Sequence, residues 1–214
     1  MSRHKQNRPD ISDYLVHFTK EDVSCSSKQK KHKTDDIDKM SAYNRLLNIL
    51  ETKTIRATPM PWVDVDAVCF TECPWISLLA HAKQYSSYGI GFSKPFIYAC
   101  GGNPVFYCRD SLFYGTQWPE DVKHFLTRFN PAYRPHVVRK TNADKYLDYS
   151  HEREWRVPHE VSFEYDKIEF VILDKYEDMA KFPKQYKDAI GREKFILMEN
   201  YRSIEKIWPT HKIG

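Results

Sequence analysis

Apolar residues along this chain fall into short runs with two different periods. Residues 13–19, DYLVHFT, are a brief apolar run of branched and aromatic side chains, which predicts a short buried strand. From Ser41 the period changes. Tyr43, Leu46, Leu47 and Leu50 recur at i, i+3, i+4 and i+7, one face of a helix, with Ser41 placed to cap its first turn and an end near Thr54. Residues 67–71, AVCFT, predict a second strand, and Pro74 opens a helix in which Trp75, Leu78, Leu79 and Ala82 share a face. YGIGFSK is too rich in glycine for a comfortable helix and predicts a strand that another group approaches closely.

Further along, residues 95–100 fit either a strand or a helical turn, with Gly101 and Gly102 as a helix stop. Residues 104–108 predict a strand and residues 119–129 a helix. HEREWRV, residues 151–157, alternates as a half-exposed strand does. Strands are expected at 168–173 and 195–198, with a helical stretch between them broken by Pro183. Short, unevenly spaced strands mixed with helices predict an α+β fold rather than a doubly wound βαβ array. Residues 1–10 are polar and expected to be disordered; residues 11–214 form one expected domain.

Composition narrows the class further. Of 214 residues, 41% are hydrophobic and 14% aromatic, enough to bury a core and to exclude wholesale disorder. No run approaches the ~20 apolar residues of a membrane span, and the basic amino terminus lacks a signal's apolar core. A soluble, cytoplasmic protein without a membrane partner is expected. Five cysteines without CxxC spacing predict reduced thiols and no metal site. A net charge of +4 permits an anionic partner without requiring one, and much of it is local, in Lys28, Lys30, Lys31 and Lys33. That run is either a solvated loop or a basic edge for phosphate.

Three clusters set polar groups inside segments that otherwise read as core. His17 and Thr19 lie in the first strand. In residues 86–92, SSYGIGF, Tyr88 and two glycines could receive a flat ligand against ring and backbone together; the GxG lacks the third glycine and strand-to-helix setting of a dinucleotide turn. In HEREWRV, alternation puts Glu152, Glu154 and Arg156 on one side and His151, Arg153 and Trp155 on the other. Each cluster also has a plain structural explanation: a satisfied core histidine, a β-bulge with a packed tyrosine, and a solvated ion pair.

HFT, the helix LLNILETKTIRA, VCFTECP, YSSYGIGFSK with GGNPVFY behind it, and HEREWRV together resemble the AbiGi-type abortive-infection family of bacterial antiphage proteins. A more distant resemblance is to DarT-like ADP-ribosyltransferases, whose first strand carries a histidine and threonine that grip NAD and whose catalytic glutamate stands in a strand of the form Glu-aromatic-x-Val. His17-Phe18-Thr19 and Glu154-Trp155-Arg156-Val157 fit those two elements. The resemblance implies an ADP-ribosyltransferase-like fold of mixed, mainly antiparallel sheets with short helices. It also implies NAD as substrate, Glu154 and Glu152 as catalytic carboxylates, and His17, Phe18, Thr19, Tyr88 and Arg156 around the nucleotide. No assisting arginine is placed; Arg45 and Arg56 are the candidates.

Two functions follow from different classes. One is an antiphage or toxin-type enzyme that transfers ADP-ribose from NAD to a nucleic-acid or protein acceptor. The other is a non-catalytic antitoxin, or a sensor of phage components, on the same scaffold. A metal-dependent nuclease using Glu152 and Glu154 lacks an Asp…ExK core.

Overall fold

The computed structural model describes residues 11–20, 40–72, 79, 82, 85–131 and 147–207. Its centre is strand β1 (Tyr14–Phe18), which pairs antiparallel on one side with β4 (Asp66–Thr71) and on the other with β5 (Gly89–Ser93). Outward from β4 lie β9 (Glu154–Val157) and β6 (Asn103–Pro104), while β11 (Ile168–Leu173) and β12 (Phe195–Leu197) extend the sheet beyond β5. The order is β12-β11-β5-β1-β4-β9-β6, with β3 (Thr58–Pro59) beside β4. Along it every pairing is antiparallel except β11 with β12. Two small pairs stand apart: β2 (Thr54–Ile55) with β10 (Val161–Ser162), and parallel β7 (Phe106–Arg109) with β8 (Leu126–Phe129). The protein is therefore α+β, as the uneven strand spacing implies, and its main sheet is mainly antiparallel.

Both faces of the sheet are covered, so its strands must be apolar on both sides. On one face Leu15, Val68, Phe70, Ile90 and Phe92 pack with Leu46 and Leu50 of helix α1 (Ala42–Thr52). The i, i+4 spacing of those leucines aims both at the sheet, and Ser41 Oγ accepts the Asn44 N–H at the capped end. On the other face Val16, Phe18, Phe170 and Ile172 gather around Met198, the first residue of a later helix. A third cluster of Cys108, Phe113 and Leu126 belongs to the β7–β8 unit.

Helix α2 (Lys94–Ala99) resolves the ambiguity at residues 95–100 in favour of a helix, capped by Ser93 and stopped where Gly102 N–H reaches the Ile97 carbonyl. The close approach expected at YGIGFSK is the ring of Phe170: a Cβ on Gly91 would stand 2.4 Å from it. Helices α3 (Asp110–Gly115), α4 (Glu120–Lys123), α5 (Tyr176–Lys181), α6 (Lys184–Ile190) and α7 (Met198–Ile207) follow.

Three expectations are corrected. The helix predicted over 119–129 stops at Lys123, because Leu126–Phe129 pairs with Phe106–Arg109 and buries Leu126 and Thr127. The strand predicted over 151–157 begins at Glu154. His151 and Glu152 lie in a 3-10 turn that ends at Arg153 with φ of 45°, so the two-residue alternation cannot run back through them. The strand expected at 195–198 stops at Leu197, and Met198 opens helix α7. The amino-terminal ten residues, the basic run 28–33 and most of the helix expected from Pro74 lie outside the described residues.

Candidate functional site

The two motif strands flank β4 in one sheet. His17 belongs to β1, Glu154 and Arg156 to β9, and β4 separates them by one strand. Register then decides which side each faces. Directly paired antiparallel residues point the same way. Phe70 pairs with Trp155, and its ring stands edge-on to that of His17, so these three occupy the α1 face. Thr71 pairs with Glu154 and Cys69 with Arg156, which puts the glutamate and arginine on the opposite face. The sheet itself thus lies between the histidine and the carboxylate, and the convergence on one ribose expected from the motifs is not what the strands produce.

His17 is tied down locally. Its Nδ1 lies 2.9 Å from the Cys69 carbonyl, which can only accept, so Nδ1 carries the proton. Burial lowers the imidazole below its ordinary 6.5, assisted by the charge of Lys20 and opposed by the bond to Cys69. Phe18 turns to the other face and packs with Val16 and Phe170. Thr19 is buried, its hydroxyl 2.9 Å from the Ala42 carbonyl and 3.3 Å from Ser86 Oγ, and so joins β1 to the start of α1. Tyr88 stacks edge-on against Tyr43 and donates its hydroxyl to Asp178 at 2.9 Å.

A histidine whose folded pKa is depressed makes stability fall with pH. Below about 6.5 the unfolded chain takes up a proton that the folded chain refuses, and the loss grows until the folded pKa is passed. Wild type should therefore lose more stability between pH 7 and pH 5 than His17→Asn, whose amide can still donate to Cys69. Parallel curves of melting temperature against pH for the two proteins would remove His17 from this role.

Glu154 and Arg156 do converge, and Glu152 lies near enough for the charge of Glu154 to act on it. Arg156 is 2% exposed. Its Nε and Nη2 bond the two oxygens of Glu154 at 2.8 and 3.0 Å, its Nη1 bonds the carbonyls of Leu126 at 2.8 Å and His124 at 3.2 Å, and its Nη2 also reaches Thr127 Oγ1 at 2.5 Å. All five guanidinium N–H groups are thereby used. The Glu154 backbone is held as well, its N–H by Tyr107 Oη at 2.9 Å and its carbonyl by the Val105 N–H.

Glu152 is buried, and the Tyr85 hydroxyl lies 2.9 Å from both of its oxygens. Burial raises its pKa, Glu154 adds to the rise, and the bond from Tyr85 opposes it. Burial, and then the Glu154 charge, push the Cys69 thiol up to about 12, and burial pushes Tyr107 up to about 12. At neutral pH neither is an anion, so neither is an activated nucleophile. The sequence gives no sign of Tyr85, Tyr107 or Thr127 in this network: Tyr107 reads as core in an apolar strand, Thr127 falls in a segment read as helix, and Tyr85 precedes the glycine-rich strand, so only the fold reveals what each hydroxyl touches.

A cavity of about 360 Å³ lies beside Glu154, lined by Glu72, Val105, Tyr107, Arg153 and Trp155 among others, at the small end of the range for ligand sites. Its wall is also internally paired: Glu72 accepts from the Trp155 indole at 3.2 Å and bridges Lys94 at 2.8 Å. A larger, open cavity of about 600 Å³ lies among Arg56, Asp66, His124, His159 and Glu160. Among the described residues no three His, Cys, Asp or Glu side chains are grouped to hold a metal ion, and no helix is long and apolar enough to cross a membrane.

Fold and site together define a mainly antiparallel α+β protein whose central carboxylate and guanidinium are committed to each other. The chain belongs to the family described as "Putative abortive phage resistance protein AbiGi, antitoxin", whose model matches residues 12–125. No curated protein and no solved structure matches it. The resemblance to DarT-like transferases receives no support from these comparisons.

Proposed function

We propose that this chain is a non-catalytic antitoxin, a binding protein whose conspicuous polar cluster is structural, and that its partner is a toxin protein in the cytoplasm. One observation carries the reading: every guanidinium donor of Arg156 and both oxygens of Glu154 are engaged within the chain. A carboxylate that stabilises a ribosyl cation needs an oxygen directed at the substrate, and an arginine that grips pyrophosphate needs donors to spare. The family description agrees with this reading.

The competing reading rests on the two motif strands flanking β4. On it the scaffold is ADP-ribosyltransferase-like, NAD is the substrate, the acceptor is nucleic acid or protein, and Glu154 exchanges Arg156 for the ribose during turnover. One experiment separates the two. Purified protein incubated with NAD labelled in the nicotinamide ring should release no more nicotinamide than a protein-free control. Release that disappears in a folded Glu154→Gln variant would establish the transferase instead. In cells, the tagged chain should co-purify with a protein whose expression without the chain arrests growth.

A further inference from the structure

The larger, open cavity holds two imidazoles that take no part in the buried network. Its wall contains His124, His159, Asp66, Glu160 and Arg56. Asp66 opens β4, His124 follows the last residue of α4, and His159 and Glu160 belong to the short link from β9 to β10. The β4–β9 register, which pairs Val68 with Val157, sets Asp66 level with His159 when it is continued two residues past the ladder. Three distant parts of the chain thus meet at this wall.

The rings of His124 and His159 stand 6.5 Å apart, centre to centre, and are inclined at 61° to each other. His124 Nδ1 lies 3.0 Å from the Asp66 carbonyl, which can only accept, so Nδ1 carries the proton and Nε2, on the far side of the ring, keeps its lone pair. An imidazole with one nitrogen donating to a backbone carbonyl and the other left basic is the arrangement that metal-ligating histidines adopt. Two imidazoles sharing a tetrahedral ion, with metal–nitrogen distances of ~2.0–2.1 Å, have ring centres roughly 5 Å apart. The observed separation exceeds this by about 1 Å, which a side-chain rotation of the exposed His159 covers.

Charge and ligand type decide what fits. Asp66 and Glu160 outnumber Arg56 on this wall, so the cavity is net negative when both imidazoles are in the neutral form that a metal requires, and it favours a cation over a phosphate. Calcium and magnesium take oxygen ligands, whereas imidazole suits zinc, copper and nickel. We infer that His124 and His159 form a binding site for a zinc-class divalent ion. The two carboxylates close no three-ligand set with the pair, so water completes the ion's shell while Asp66 and Glu160 offset its charge. The ion ties the β9–β10 link to the segment between α4 and β8, where the His124 carbonyl also accepts a bond from Arg156. This site stands independently of the antitoxin reading.

Its test titrates the full chain, carrying no histidine tag, with zinc chloride in a calorimeter. Wild type should take up one ion per chain, and saturating zinc should raise its melting temperature, because an ion held by the folded state stabilises that state. His159→Ala alters an exposed side chain, and His124→Asn keeps an amide that can donate to the Asp66 carbonyl. Each should weaken zinc binding at least about tenfold and abolish the zinc-dependent rise in melting temperature. Cobalt in place of zinc should show the visible absorption of nitrogen and oxygen ligands without a thiolate-to-cobalt band. No uptake by wild type, a loss below about tenfold in either variant, or a thiolate band placing the ion on cysteine would each overturn the proposal.

Discussion

Arg156→Met should destabilise the chain by about 3–5 kcal/mol, the usual cost of removing one member of a buried ion pair and stranding the other. The arginine side chain is 3% exposed and that of Glu154 12%, so solvent screens the pair little. The same substitution leaves the Leu126 and His124 carbonyls and the Thr127 hydroxyl without the donor they share. Glu154→Gln in the same chain removes the stranded charge, and the double variant should recover much of the loss. Urea unfolding of the two single variants and the double variant gives the coupling directly. A cost below about 1 kcal/mol for Arg156→Met would mean that the pair is screened and replaceable. Arg156 would then be free to serve a ligand, and the observation behind the antitoxin reading would be gone.

Gly91→Ala should cost about 1–3 kcal/mol, the range for overfilling a packed core. Its added methyl would meet the tip of the Phe170 ring, which is 7% exposed and wedged with Val16, Ile172 and Met198. Phe170 sits directly opposite Gly91 in the β5–β11 ladder, so neither residue can step aside without breaking register. Phe170→Leu shortens the ring and should make a further Gly91→Ala change nearly neutral. Thermal melts of the four proteins in this cycle would show it. A single Gly91→Ala variant as stable as wild type would mean that the ring has room to retreat.

Strands β1, β4, β5 and β11 and the first helix are legible because each is encoded locally. The run YLVHF, the leucines at 46 and 50, and the glycines of YGIGFS each state their environment within a few residues. The segment from 119 to 129 was not, because Leu126–Phe129 becomes a strand only through its partner Phe106–Arg109, a pairing no local period announces. The three polar clusters were found as sequence, and their mutual placement was not. Whether His17 and Glu154 share a face depends on the register of β4 against both neighbours, and a shift of one residue would reverse the answer. Alternation correctly groups Glu154 with Arg156, but it fails at Glu152, where the left-handed Arg153 interrupts the strand.

Strand order also bears on how the chain is made. Among the described strands β1 leaves the ribosome first, yet it ends up in the middle of the sheet, and its neighbour β5 stays without its outer partner until Ile168–Leu173 has been synthesised. Until then β5 is an apolar edge with open backbone groups, the kind of surface on which chains join one another. The match to the family stops at residue 125, before β8, β9, β11 and β12, so a fragment cut to the matched length would have that edge permanently exposed. Such a fragment should collect in inclusion bodies during expression, whereas the full chain shields the edge as soon as its last third emerges.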